Sequence, residues 1–366
     1  MIEKLLYLTF IDTEKLPTSG SSVRPLKMKT ALEQVVDDVR SFDGMNNDLS
    51  ARRKTVKDIN SLLKTWKPDA CYIEPPSGPL FYYGDVKLIK KLHKLGVSNA
   101  LFYRDAYWKY PEYYKTKKES LVSRLKSVII KYMQVSQWRA FQKYIDVIYF
   151  PSMRMADEFK CKRKDALPPG SFMTDEKADK PVSKPLQFIF VGGAAVNHGT
   201  ILTLEAFEKA NKDSVIAKLF YICPKTQWDK LGIRKENYQD WLEVIHTSGD
   251  ENLKRYYDRS DIALLTAPRT FYRDFAVPIK IFEYMSYLKP ILVTDCIETA
   301  RIVKDNQIGW VVADDVDCIC TQIKELYDNT EEVESVKKKL PEARADNLWE
   351  NRAKKIVADL ESLEKE

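Results

Sequence analysis

Short apolar runs alternate with longer amphipathic stretches from one end of the chain to the other. Residues 5–11 (LLYLTFI), 69–73 (DACYI), 99–103 (NALFY) and 146–150 (DVIYF) have the length and the aliphatic and aromatic content of buried strands. Between them, 49–63, 86–95 and 121–144 repeat apolar residues at helical spacing. The alternation stops over 166–185, where Pro168, Pro169, Pro181 and Pro185 stand among charged residues in the composition of a linker. It then restarts, with strands predicted at 186–191 (LQFIFV), 216–222 (IAKLFYI), 262–265 and 291–294 (ILVT) and helices at 200–210, 278–287 and 299–303. A charged amphipathic helix, 347–363, closes the chain.

Strands alternating with helices imply parallel sheets joined by crossover connections. A length of 366 residues suits two such domains. The pattern predicts an α/β protein with a Rossmann-like domain over 1–170, a linker over 171–185 and a second Rossmann-like domain over 186–345. Residues 346–366 form a helix expected to pack back on the first domain. Doubly wound sheets bind ligands beyond the carboxyl ends of their strands, so two in tandem are expected to face a central cleft.

Composition narrows the function class. Hydrophobic residues make up 44% of the chain, as in ordinary globular proteins. The net charge of +6 suits an anionic ligand or an anionic membrane surface and is too small to argue for nucleic acid. Six scattered cysteines offer no paired CxxC units for zinc and read as reduced thiols of a cytoplasmic protein. The opening MIEKLLYLTFID reads as a strand rather than a secretory signal. No run approaches the roughly 18 apolar residues that span a bilayer, so any membrane attachment is expected to be peripheral, at the inner face of the cell membrane. Residues 115–143 are the candidate for it. Lys117, Lys118, Arg124, Lys126, Lys131, Arg139 and Lys143 interleave there with Leu121, Leu125, Ile129, Tyr132, Met133, Trp138 and Phe141. Such a stretch fits a helix lying on anionic lipid and equally a helix packing its apolar stripe on its own domain.

The residues that suggest chemistry sit at strand ends. After the run IALLTAP and the polar loop RTFYRD comes FAVPIKIFEYMSYLKPILVTD, residues 275–295. Pro278 suits the start of a helix, whose free amides favour a diphosphate. Lys280 and Glu283 are three apart and share a face of that helix. They read as a phosphate contact and a ribose contact, or as a surface ion pair. Gly192 and Gly193, directly after a predicted strand, allow close approach to a phosphate or sugar, or form a plain tight turn. His198 follows them, as a ligand or as a polar turn residue. After the first strand, the loop from Pro17 through Gly20, Ser21 and Arg24 is either a phosphate-contacting loop, with Arg24 bidentate, or a flexible connector. Asp105, after the strand NALFY, is placed to take the proton of an acceptor hydroxyl, or pairs with Arg104. Glu74 is a lesser candidate. Asp315-Val316-Asp317 spells a metal-binding DxD, but it precedes a helical run, and Asp317 reads as its N-cap. No metal and no cofactor are expected.

The segment PIKIFEYMSYLKPILVTD resembles the donor-binding segment of bacterial two-Rossmann-domain (GT-B) glycosyltransferases, in the style of the family-4-like and glucuronosyltransferase-like groups. The resemblance implies that Glu283 holds the ribose of a nucleoside-diphosphate sugar and Lys280 faces its diphosphate, with Pro278 and Ile279 at the helix start. It also implies a glycine-rich loop at Gly192 and Gly193, where His198 takes the place of a basic residue, and Arg24 or Arg273 beside the leaving diphosphate. The family-4 pattern has a second glutamate eight positions before Glu283; this chain has Phe275 there, next to Asp274. The implied activity is that of a metal-independent hexosyltransferase, with a UDP-sugar as donor and a surface polysaccharide or lipid-linked saccharide as acceptor. A nucleotide-sugar epimerase and a non-catalytic, transferase-like partner are the alternatives, the latter favoured by the missing glutamate.

Overall fold

A computed structural model of the chain describes residues 1–13, 20–110, 121–238 and 240–363. The chain divides into two compact units, residues 1–169 with 349–366, and residues 170–348.

The first unit runs β1 (Lys4–Thr9), α1 (Gly20–Val35), β2 (Asp38–Phe42), α2 (Leu49–Leu62), β3 (Ala70–Glu74), α3 (Tyr83–Lys94), β4 (Ser98–Phe102), α4 (Leu121–Tyr144), β5 (Val147–Phe150), α5 (Met153–Asp157) and β6 (Lys164–Ala166). Its six strands form one parallel sheet in the order β2-β1-β3-β4-β5-β6. All five residues of β3 are buried, as expected for a central strand covered on both faces. The segment read as a loop after the first strand is helical from Gly20 onward, and Pro25 lies inside α1.

The second unit runs β7 (Leu186–Val191), α6 (Thr200–Ala210), β8 (Ala217–Ile222), α7 (Lys225–Leu231), β9 (Leu242–Ile245), α8 (Asp250–Arg259), β10 (Ile262–Leu265), α9 (Ile279–Ser286), β11 (Ile291–Thr294), α10 (Ile297–Asp305), β12 (Gly309–Val312), α11 (Val316–Asp328), α12 (Thr330–Lys337) and α13 (Leu340–Asp346). Its parallel sheet has the order β12-β11-β10-β7-β8-β9. Alternate residues of the inner strands feed two cores. Phe188, Phe190, Leu219, Tyr221 and Ile262 lie on one face. Ile189, Val191, Phe220, Ile222 and Ala263 lie on the other. Period-two alternation therefore hides an apolar run on both sides of the sheet.

The stretch 171–185, read as a linker, belongs to the second unit. Ser171 Oγ donates to the Arg344 carbonyl at 2.7 Å and Thr174 Oγ1 to the Ser286 carbonyl at 2.8 Å. The final helix, α14 (Trp349–Ser362), belongs to the first unit. It packs against α1 through a face that buries Trp349, Ala353, Ile356 and Leu360.

Candidate functional site

Numbered within the second unit, the strand order is 3-2-1-4-5-6 read from β9, and it reverses between β7 and β10. Loops leaving those two strands run in opposite directions, which opens a crevice beyond the strand ends. A cavity of about 160 Å³ lies there. Gly192, Gly193 and His198 line it from beyond β7, Thr266 and Ala267 from beyond β10, Arg273, Pro278 and Lys280 from the approach to α9, and Thr294, Cys296 and Thr299 from the β11–α10 connection. Six of the eight residues read from the sequence as donor-binding thus meet in one cavity. The other two adjoin it along the chain: Ile279 opens α9 and Glu283 lies one turn further on.

The loop after β7 is stitched into shape. Thr200 Oγ1 accepts from the Ala195 amide at 2.9 Å, and the Ala194 amide donates to Gln227 Oε1 at 3.0 Å. His198 Nδ1 lies 3.1 Å from the Gly193 carbonyl. A Cβ at Gly193 would approach that ring to 2.6 Å, so glycine is required by the close fit. Gly199 is the stricter case. Its φ is +81°, and a Cβ there would stand 1.9 Å from the Thr266 carbonyl oxygen. This glycine lets the start of α6 close on the end of β10, where Thr203 and Thr266 share a hydrogen bond of 2.6 Å between their hydroxyls. Sequence reasoning missed Gly199, Thr266, Thr294, Cys296 and Thr299; glycine before a helical run was the available signal for the first.

Two helices begin at the cavity, and they differ. No side chain caps α9, which starts after Pro278. The first amides of α10 are already taken: Ile297 donates to Asp274 Oδ1 at 3.1 Å and Glu298 to the Asp274 carbonyl at 3.2 Å. Arg269 also holds Asp274, at 2.9 Å. The carboxylate beside the departed glutamate position is therefore a helix cap, and Phe275 next to it is buried. The positive end of α9 is the one left for an anion.

Lys280 Nζ donates to both carboxylate oxygens of Glu283, at 2.7 and 2.6 Å. Tyr257 donates to the same carboxylate at 2.6 Å. Burial, with the Glu283 charge adding to it, pushes the Tyr257 hydroxyl well up, so it stays protonated and donates. Glu283 is thereby fixed in orientation on the first turns of α9. Arg273 Nη2 donates to the Asn197 carbonyl at 2.6 Å, which ties the loop before α9 to the loop after β7. Burial raises the Cys296 thiol, so it is no thiolate at neutral pH. The assembled chemistry is a lysine, an arginine and an uncapped helix N-terminus, with a carboxylate one turn behind.

The first unit treats its candidates differently. Glu74, the last residue of β3, is buried and accepts from Arg24 Nε at 3.2 Å, Tyr72 Oη at 2.9 Å and Arg104 Nη2 at 3.5 Å. Arg24 is 4% exposed, and its guanidinium lies 3.5 Å over the Phe102 ring. Gly20 and Ser21 open α1; residues 14–19 of that loop, and the Ser21 side chain, lie outside the described residues. Asp105 accepts from the Ser77 hydroxyl, and both line a small cavity with Arg104, Gln134 and Gln137. Another buried pair, Arg52 with Asp85 at 2.6 Å, was not read from the sequence.

Asp315, rather than Asp317, caps α11, accepting from the Asp317 and Cys318 amides at 2.8 and 3.1 Å. These two amide bonds lower the Asp315 carboxyl. Asp317 instead pairs with Lys209. Among the described residues no group of three His, Cys, Asp or Glu side chains could hold a metal ion.

Residues 185–329 match the family described as glycosyl transferases group 1. No curated protein matches the chain. In structure it is similar to a sucrose-phosphate synthase from Thermosynechococcus elongatus (TM-score 0.69, 12% identity, 99% of each chain covered). It is also similar to WaaG, a glycosyltransferase involved in lipopolysaccharide biosynthesis (TM-score 0.65, 13% identity, 97% of this chain and 99% of that one). A third likeness is to an alpha,alpha-trehalose-phosphate synthase (UDP-forming) from Burkholderia xenovorans in complex with glucose-6-phosphate (TM-score 0.63, 12% identity, 98% of this chain and 100% of that one). Two six-stranded parallel sheets give the chain the two-Rossmann-domain fold of these structures, and the match to glycosyl transferases group 1 lies within the second unit and spans the switch-point cavity.

Proposed function

We propose that the chain moves a hexosyl unit from a UDP-sugar to a surface-polysaccharide or lipid-linked saccharide acceptor, in peripheral contact with the inner face of an anionic membrane and with no metal or resident cofactor. One observation carries the donor half of this reading: the uncapped N-terminus of α9 meets Lys280 and Arg273 at the switch-point cavity. Cleavage of a nucleotide sugar builds negative charge on the departing diphosphate and positive charge on the anomeric carbon. Preorganised donors at the diphosphate lower that barrier, and those three groups are such donors. Glu283, oriented by Tyr257, is the carboxylate for the ribose hydroxyls. The UDP-forming activity named for a structural relative agrees with a uridine donor. On the acceptor side, Asp105 is the proposed base.

A non-catalytic nucleotide-sugar-binding partner is the second reading. It is favoured by Phe275, buried where the resembling enzymes have a glutamate, and by the capping role of Asp274.

Thermal denaturation with UDP, UDP-sugars and other nucleoside diphosphates tests the donor site, because a ligand that binds only the folded state raises the melting temperature. UDP and a UDP-sugar are expected to raise it; no shift with any nucleotide refutes the site. Sugar release with a saccharide acceptor separates transfer from the binding-only reading, and conversion without acceptor indicates an epimerase. Turnover is expected to survive a chelator. Its loss in chelator and recovery with manganese would return Asp315 and Asp317 to a metal role.

A further inference from the structure

Helix α4 is packed along only half of its length. Its C-terminal half buries Gln134, Trp138 and Phe141, with the Trp138 ring 4.8 Å from Phe159 and 5.0 Å from Tyr103. Its N-terminal half is bare: from 122 to 132 every residue except Ser127 is exposed. Val122, Leu125, Ile129 and Tyr132 are each more than half exposed. At 3.6 residues per turn these four fall within an arc of about 80°. Val128, also exposed, borders the arc. Arg124 and Lys131 lie on the Val128 side and Lys126 on the other. The helix carries five basic residues and no acidic one. Of the two readings open at the sequence level, the core-packing one holds for Trp138 and Phe141 and fails for Leu125, Ile129 and Tyr132.

An exposed apolar stripe flanked by one sign of charge marks an interaction surface. We propose that residues 122–132 of α4 form the lipid-docking surface of this protein, with Val122, Leu125, Ile129 and Tyr132 entering the acyl boundary of an anionic membrane and Arg124, Lys126 and Lys131 meeting its phosphate headgroups. The charge pattern selects that partner. Basic side chains beside an inserted apolar stripe reach back to the headgroups by their flexible stems. A second copy seated symmetrically on the same face would bring like charges together. The inference deepens the membrane part of the proposed function and rests on that part alone. Vesicle binding is read without turnover, so its failure leaves the donor site standing.

The test is co-sedimentation of the full chain with vesicles of phosphatidylcholine alone and of phosphatidylcholine doped with phosphatidylglycerol. Binding is expected to the anionic vesicles only and to weaken with salt. Lys126→Glu with Lys131→Glu removes two headgroup contacts and is expected to weaken binding by roughly thirtyfold or more. Leu125→Ser with Ile129→Ser lies on the bare face, so it is expected to leave the fold intact and abolish sedimentation. Absence of binding at low salt, or binding that both double variants retain, overturns the proposal. So does self-association in sedimentation equilibrium that the Leu125 and Ile129 variant dissolves, which would make the face a contact between copies.

Discussion

In the second unit the strand order reverses between β7 and β10, and the space beyond their ends is a cavity reached by Lys280, Arg273 and an uncapped helix. In the first unit it reverses between β1 and β3, and there the buried Arg24 and Glu74 meet. The two sheets have the same six parallel strands, yet a cavity lies beyond one switch point and a buried ion pair beside the other. Charges are paired in both units; the pair of the first is fully buried, and that of the second is part-exposed beside a cavity. Glu74 takes donors from Arg24, Arg104 and Tyr72, and Arg52 takes Asp85 together with the Thr9 and Asp43 carbonyls. In the second unit Asp274 is consumed by α10 and Lys280 pairs with Glu283, but Lys280, Arg273 and the uncapped start of α9 stand at the cavity. A doubly wound sheet creates a crevice wherever its order reverses; side chains decide whether it is a site.

The largest expected effect lies in the first unit. Glu74→Ala leaves Arg24 buried without its carboxylate, and removing one partner of a buried pair costs about 3–5 kcal/mol. Denaturant unfolding is expected to show that loss, while UDP still raises the melting temperature. A variant as stable as the parent would mean that the first crevice is not held by this pair.

Asp105→Asn comes next. It keeps size and hydrogen bonding and removes the base, so turnover is expected to fall by roughly a hundredfold or more with donor affinity unchanged. Near-normal turnover, or a product of retained anomeric configuration, excludes Asp105 as an inverting base and leaves the strand ends of the first unit wholly structural.

In the second unit, Lys280→Ala and Glu283→Gln are each expected to weaken UDP-sugar binding by roughly ten- to a hundredfold, the range of hydrogen bonds to charged groups. Calorimetric titration measures it, and unfolding of Lys280→Ala is expected to match the parent. Unchanged affinity in both variants would make the pair a surface ion pair and the contrast between the crevices void.

The smallest effect is one of sign, at the opposite end of the second sheet. Lys289 is 4% exposed just before β11, and burial lowers its ammonium to about 8, against Glu176 at 3.8 Å, which raises it. The unfolded chain holds that proton up to about 10.4. Between those values the unfolded state binds more protons, so this group makes stability rise with pH across that window. Lys289→Met is expected to flatten the rise in urea midpoints; an unaltered slope assigns it to other groups.

The eight strands read from the sequence are the eight inner strands of the two sheets, and the four edge strands, β2, β6, β9 and β12, were not read. Inner strands are covered on both faces and appear as apolar runs; edge strands such as DVRSF and KDA are half-buried and polar, with no run to see. Helix α1 was hidden by Ser21, Ser22 and Pro25, whose composition suggests a turn. The linker composition of 171–185 was legible, but not the hydrogen bonds to Ser286 and Arg344 that hold it on the second unit. Local pattern placed Pro278, Lys280, Glu283 and the glycine pair at a helix start and a strand end, whereas their donor-binding roles came from the resemblance and stand as proposals.

Local pattern by itself therefore determined the alternation of strands and helices, the two-domain parallel architecture and the chain segments that flank the switch point of the second unit. Tertiary structure alone decided which charges cancel. Arg24 and Glu74 are 50 residues apart and meet only when α1 lies against the end of β3. Asp274 and Ile297 are 23 apart, and their bond makes the carboxylate next to Phe275 a helix cap. Likewise α4 carries apolar residues on nearly opposite faces in its two halves, and only packing shows that Trp138 and Phe141 are covered while Val122, Leu125, Ile129 and Tyr132 face solvent. Sequence periodicity reports which side chains share a face; what that face meets is set by contacts distant along the chain, and no local pattern records those.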